Sequence, residues 1–234
     1  MPDRPVTFIL AIETSGRVGS VALGAGDLLV EACTFEAANS HGVELLPTVA
    51  SICSRAGLTP DAIRQVYVSA GPGSFTGLRV GVTFAKALAF ATGAKVVCVP
   101  TLTVIAANAL DLPDPPPRVV PVLDAKRKRV YAAAFELRAG AYEPIDEPLE
   151  RDPAEYLAKQ GPAGVLGEGV AIHRAVLEVT QGVTILPDSL HRARAENVLA
   201  LGRKLAAAGR FTDIGELVPT YIRLPDAVER WMKR

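Results

Sequence analysis

The sequence lacks a surplus of charge of either sign. Its 234 residues carry 25 Lys+Arg against 25 Asp+Glu, for a formal net charge of zero. No overall basic field draws the chain to nucleic acid or to an anionic membrane, so any such contact must come from a local patch. Histidine is scarce: the 3 His lie apart at His41, His173 and His191, with no HxxxH or HExxH spacing, and only His41 has an acid one turn on, Glu44. No dedicated metal site is therefore expected. Cys33, Cys53 and Cys98 form no CxxC pair and each lies in an apolar stretch, which reads as core packing in a reducing compartment rather than as a disulfide framework. No Gly-x-Ser-x-Gly elbow is present. No apolar run reaches the ~18 residues a membrane helix needs. The run Val6 to Ile12 is stopped by Glu13 and preceded only by the basic Arg4, so it does not read as an export signal. A cytoplasmic protein is expected. Aromatic residues are few (7 Phe, 5 Tyr, 1 Trp), so Ala, Val, Leu and Ile must build the core. At 49% hydrophobic and 21% charged residues, global disorder is excluded.

What is present alternates strand and helix signals. Thr7 to Glu13 reads as a buried strand, Val18 to Gly24 as a second and Leu28 to Phe35 as a third, with short polar turns between them, an antiparallel meander. Leu45, Leu46, Val49, Ile52 and Cys53 then recur with helical period. Asn39 or Ser40 can cap that helix, and Pro47 should kink it or mark its first turn. A strand from Gln65 to Ser69 runs into the loop Gly71-Pro72-Gly73-Ser74 and a long helix from Phe75 to Thr92, closed by Gly93. A strand (Lys95 to Val99) and a helix from Thr101 to Leu110 complete the first half.

Pro115-Pro116-Pro117 cannot continue that helix and favours extended backbone. The expected division is residues 1–111, a proline-rich connection at 112–117, and 118–234. The order then restarts. FILAIETSGRVGSVAL and VVPVLDAKRKRVYAAAF each give an apolar strand, an acid (Glu13, Asp124), a turn, then Arg-Val and a further strand. Matching the Arg-Val pairs requires one extra residue in the second turn. Such a repeat points to a duplicated fold. The second half continues with a strand from Val130 to Leu137, helices near Pro153 to Lys159 and after Glu168, strands at Gly164 to Gly167 and Val183 to Leu186, and a last helix from Glu196 to Ala208. This order gives an α/β architecture of two halves, a two-lobed actin-like fold.

Four features carry the functional expectations. Gly71, Gly73, Ser74 and Thr76 form a glycine-rich strand-to-helix turn whose free N–H groups can hold a phosphate, although the spacing is not that of a P-loop. Gly77, Gly81, Ala85, Ala89 and Gly93 make a ridge of small side chains. Since helical glycine costs up to ~1 kcal/mol against alanine, the ridge needs a reason: close packing inside the protein, or contact with a partner helix alongside Leu45, Leu46, Val49 and Ile52. Glu13 and Asp124 are strand-end acids that can bind magnesium in a cleft or merely cap turns, and neither is followed by the glycine that favours phosphate approach. Lys126-Arg127-Lys128-Arg129 is a basic turn, solvated or touching RNA phosphates. The tail, Tyr221-Ile222-Arg223 with Arg230-Trp231-Met232-Lys233-Arg234, reads as a docking segment or a frayed end.

ILAIETSGRVGSVAL (Ile9 to Leu23) and GPGSFTGLR (Gly71 to Arg79), with HGVELLP (His41 to Pro47), LDAKRKRVY (Leu123 to Tyr131) and PTYIR (Pro219 to Arg223), resemble the TsaB family, also called YeaZ. The resemblance runs through nearly the whole chain. It implies the actin/Hsp70/sugar-kinase fold, that is, duplicated ribonuclease-H-like halves. It also implies a noncatalytic role in forming N6-threonylcarbamoyladenosine at position 37 of ANN-decoding tRNAs. The implied partners are a TsaD-type transferase and a TsaE-type ATPase, with tRNA engaged indirectly and self-association when alone. The chain is then expected to hold no metal and no cofactor of its own. The helix faces Leu45–Ile52 and Gly77–Ala89 become the expected interface and Glu13 with Asp124 a vestigial acid pair, while the loop at Gly71–Thr76 stays a candidate phosphate or nucleotide loop, its nucleotide binding left open. Gly167-Glu168-Gly169 loosely resembles the adenosine loop of the fold. The competing expectation is a stand-alone ATP-dependent kinase or peptidase-like hydrolase of the same fold.

Overall fold

The computed structural model describes residues 6–36 and 41–223, without the side chain of His41. The proposed caps Asn39 and Ser40 and the Arg230–Arg234 part of the tail lie outside them. In chain order the elements are β1 (Phe8–Glu13), β2 (Val18–Ala25), β3 (Leu28–Glu36), α1 (His41–Arg55), β4 (Ile63–Gly71), α2 (Phe75–Thr92), β5 (Lys95–Pro100) and α3 (Thr101–Ala106). There follow β6 (Arg118–Asp124), β7 (Val130–Ala132), β8 (Phe135–Arg138), β9 (Ala141–Pro144), β10 (Leu149–Arg151), α4 (Pro153–Ala158), β11 (Ala163–Leu166), α5 (Gly169–Val179), β12 (Val183–Ile185) and α6 (Ala195–Ala207).

The chain divides into two units. Unit 1 takes Met1–Asn108 and Arg192–Pro219; unit 2 takes Ala109–His191 and Thr220–Arg234. This differs from the boundary expected at 112–117. The prolines are packed into unit 2: Tyr142 donates to the Pro116 carbonyl at 2.7 Å, and Leu137 N–H to that of Pro117 at 2.9 Å. The last helix, expected in the second half, belongs to unit 1.

In unit 1 the sheet order is β3-β2-β1-β4-β5, with β1, β2 and β3 antiparallel and β4 and β5 added parallel. The central strands are apolar on both faces because helices cover both. Leu10, Ile12, Val66 and Val68 meet Leu45, Val49 and Ile52 of α1 and Val82, Ala85 and Ala89 of α2 in one core. The alternate residues Ile9, Ala11, Tyr67 and Val97 are buried toward the other face, where α6 packs on β1, β2, β4 and β5. Gly202 of α6 permits this approach, since a Cβ there would lie 2.3 Å from Tyr67 Cδ2. Buried Asn108 ties down the start of α6: its amide donates to Arg192 O at 2.7 Å, and its carbonyl accepts from Arg194 at 2.9 Å and Asn197 at 2.7 Å. Helix α1 starts at His41 and continues through Pro47, so Pro47 does not mark its first turn. Gly93 closes α2 at φ 71° as expected.

In unit 2 the path is β10-β7-β6-β11-β12, with the β8–β9 hairpin attached to the start of β6. Following the chain, both sheets place their strands in the same order, which bears out the repeat. The single strand expected from Val130 to Leu137 is in fact two. β7 pairs with the end of β6 and β8 with its beginning. Between them the Ala134 N–H donates to Asp146 Oδ1 at 2.7 Å, and Asp146 Oδ2 accepts from the Tyr156 hydroxyl at 2.6 Å.

Two outcomes follow for urea unfolding. Gly202→Leu and Gly81→Leu should each lower stability by ~1–3 kcal/mol or more through overpacking, because Gly81 also lacks room: a Cβ would lie 2.3 Å from Thr14 Oγ1. Asp146→Ala should cost ~1–3 kcal/mol by leaving the Ala134 N–H and the Tyr156 hydroxyl unanswered, and Tyr156→Phe should cost less.

Candidate functional site

The glycine-rich loop of unit 1 is built against the turn that follows β1. Ser74 N–H donates to Ser15 O at 2.7 Å. A Cβ on Gly73 would lie 2.6 Å from that same carbonyl, so glycine is required by backbone approach. Gly71 has φ 120°, outside the comfortable range of other residues. Ser74 Oγ accepts from Gly77 N at 3.3 Å, capping α2, and Thr76 is exposed. Thr14 Oγ1 donates to Gly77 O at 2.8 Å. Glu13, fully buried at the end of β1, turns Oε1 onto the Ser15 N–H and hydroxyl, both at 2.5 Å.

Asp124 ends β6 of unit 2 as Glu13 ends β1. The registers place it opposite Val130, and Glu13 opposite Ser20. The second connection is thus one residue shorter, not longer: the two Arg-Val pairs are not equivalent, because Val18 faces Glu36 further out on the edge strand. Asp124 Oδ2 pairs with Lys126 Nζ at 2.9 Å, while Oδ1 accepts from Lys126 N at 3.1 Å and meets His173 Nε2 at 3.3 Å. Burial pushes this carboxyl up, but the Lys126 and His173 contacts outweigh it and hold it below the usual aspartate range. Lys126, Arg127 and Lys128 all have left-handed backbone, at φ 65°, 51° and 60°. For residues with a Cβ this costs roughly 1–2 kcal/mol each. Ala125 N–H donating to Arg129 O, Arg129 N–H donating to Lys126 O, and the Arg223 guanidinium on Ala125 O, each at 2.9 Å, hold the turn.

The expected helix interface is largely inside unit 1. Leu45, Val49, Ile52, Gly77, Gly81, Ala85 and Ala89 are buried in its core. Only Leu46, 61% exposed, faces solvent. The sequence reading missed Val43 at 67% and Phe90 at 86% exposure. Their signal was there: large apolar residues standing off the buried stripe. Gly42 approaches Val80, a Cβ there lying 3.9 Å from its Cγ2, so α1 and α2 lie side by side.

Other expectations resolve into packing. Gly167, at φ 111°, and Gly169 sit against Val122 O, where added Cβ atoms would lie 2.3 Å and 2.9 Å away. Buried His191 accepts from Gly167 N–H through Nδ1 at 3.3 Å, and burial pulls its pKa down. Among the described residues no three His, Cys, Asp or Glu gather in a metal-binding group, and no helix is long and apolar enough to cross a membrane.

A family model described as TsaD, tRNA N6-adenosine threonylcarbamoyltransferase, matches residues 35–224. The chain is 30% identical to the tRNA threonylcarbamoyladenosine biosynthesis protein TsaB of Bacillus subtilis (strain 168), over 96% of this chain and 98% of that one. The solved structure of YeaZ from Pseudomonas aeruginosa aligns with a TM-score of 0.80 at 24% identity, over 92% of this chain and 99% of that one. An inorganic polyphosphate/ATP-glucomannokinase from an Arthrobacter strain aligns at a TM-score of 0.50 and 13% identity, over 85% and 99% of the two chains, a likeness of fold alone. With near-complete coverage of a TsaB relative and two sheets of one shared strand order in an actin-like fold, the chain belongs to the TsaB family.

Proposed function

We propose that this chain is a noncatalytic partner of a TsaD-type transferase in forming N6-threonylcarbamoyladenosine at position 37 of ANN-decoding tRNAs in the cytoplasm, alongside a TsaE-type ATPase. The observation offered for the reading is that Val43 and Leu46, one turn apart on α1, and Phe90 on the neighbouring α2 are large, apolar and exposed. Exposed apolar groups that cluster mark a surface that another protein covers. The interface expected from the sequence is thereby kept on the same two helices but moved from their buried stripe to their solvent side. A second copy can cover the same face when the chain is alone.

The strand-end acids support a noncatalytic role. A carboxylate that orients a magnesium ion needs oxygens open to it. Asp124 instead holds Lys126 and His173 with its two oxygens, and Glu13, fully buried, turns Oε1 onto Ser15. Lys126 supplies from within the chain the positive charge that a metal would bring.

The test is tRNA threonylcarbamoylation in a mixture of the adenylate-forming enzyme, the TsaD-type protein, the TsaE-type ATPase, ATP, threonine and bicarbonate. Product should form only when this chain is added; equal product without it would overturn the reading. Leu46→Glu and Phe90→Glu should each weaken capture of the TsaD-type protein about 30-fold, the ~2 kcal/mol of an interface hot spot, with the thermal melting temperature unchanged because both side chains are exposed. Unweakened capture would remove this face from the interface.

A further inference from the structure

Beside the left-handed turn of unit 2 lies an open groove of about 580 Å³, inside the ~300–1,000 Å³ range of ligand sites. Its lip is Lys126, Arg127 and Lys128, and its floor includes Pro153 at the start of α4 with Ile172 and Val176 of α5. Ile172 is 51% and Val176 36% exposed, one helical turn apart. The two acids that also line it are already engaged. Asp124 holds Lys126 and His173, and Asp152 accepts from Glu155 N–H at 3.1 Å with Arg129 at 3.8 Å. An apolar floor running up to a cationic lip complements a molecule in which an anionic group is joined to a flat, weakly polar one.

We propose that this groove binds RNA, seating one unpaired nucleotide with its phosphate at the Lys126–Lys128 turn and its base on the floor. Single-stranded nucleic acid is held by cations along the backbone and a platform for the bases, commonly aromatic; here the platform is the aliphatic floor of Pro153, Ile172 and Val176. Lys126 shares its charge with Asp124, yet the turn still sets cations side by side, which match the successive phosphates of a strand better than the lone carboxylate of a peptide side chain. Lys126, Arg127 and Lys128 stand in a backbone conformation that glycine or asparagine would adopt with less strain. The inference rests on the reading above, in which the complex acts on tRNA.

The probe is fluorescein-labelled octauridylate, titrated with the full chain and followed by anisotropy from 50 to 200 mM salt. Native protein should bind it, more weakly as salt rises. The pair Arg127→Gly and Lys128→Gly suits the left-handed backbone and so spares the fold. It should weaken binding about tenfold and reduce the slope of log K against log salt by ~0.7 per lost phosphate contact. Val176→Asn, which removes apolar floor without adding charge, should weaken binding of the octamer but not of an abasic oligomer of equal charge. No binding by the native chain, or equal binding by the glycine pair, overturns the proposal. So does AMP competing as well as the octamer, which would make this a mononucleotide pocket. A glycine pair that spares RNA but weakens capture of the TsaD-type protein would make it a protein surface and overturn it too. Threonylcarbamoylation by the native mixture separates the two readings: chain-dependent product without octamer binding removes only the groove, and chain-independent product removes the subunit role.

Discussion

Gly202 brings the backbone of α6 onto the ring of Tyr67, and unit 1 depends on that approach. The neighbouring Leu199 lies over Gly24 of β2, where a Cβ would come within 2.9 Å of its Cδ1, and Arg203 reaches the carbonyl of Leu28 at 2.7 Å. One helix thus spans the sheet from its centre to its β3 edge. Without it, Ile9, Ala11, Tyr67 and Val97 would face water on one side of a sheet whose other side is filled by α1 and α2. Burial of such groups is worth roughly 1.5–3 kcal/mol per large side chain, so covering both faces is a condition of the fold. Asn108 then fixes where the returning chain enters, through three hydrogen bonds made away from water.

With both faces committed, the sheet leaves only strand ends and helix backs for function. The strand ends are used internally. Gly73 and Ser74 lock onto Ser15, and Asp124 onto its own Lys126. On the helices of unit 1, Leu46 and Phe90 stay exposed while Gly77 and Gly81 are buried, so the proposed partner contact falls on the former.

Much of this was legible in the residues. The meander, the loop into α2, the Gly93 stop and the strand-acid-turn restart at Asp124 all follow from period and turn chemistry. Three things were not. The break between β7 and β8 falls within an unbroken apolar run, and its cause, Asp146, lies 12 residues downstream of Ala134. The ridge Gly77–Ala89 announces that something comes close without saying what; Thr14, 63 residues before Gly77, is part of the answer. The amphipathic pattern of α6 requires an apolar surface but cannot say which sheet supplies it. Each failure has one origin: a local pattern fixes what a segment needs, while the partner that meets the need is distant in sequence.

The division of the chain into units also sets an order of assembly. Unit 2 is mainly one continuous stretch, Ala109–His191, lying between the two pieces of unit 1. On a ribosome, β1 to β5 emerge first yet cannot bury the Tyr67 side of their sheet until α6 has been made, after all of that stretch. Unit 2 therefore has its main segment in hand before the earlier-born sheet is finished. The nascent chain spends that interval with a half-covered sheet whose β3 edge carries Leu28, Leu29 and Val30, a surface suited to adding a stray strand. Synthesis halted before Ala195 would strand that first sheet rather than the second, and the burden of keeping this protein soluble while it is made falls on its N-terminal half.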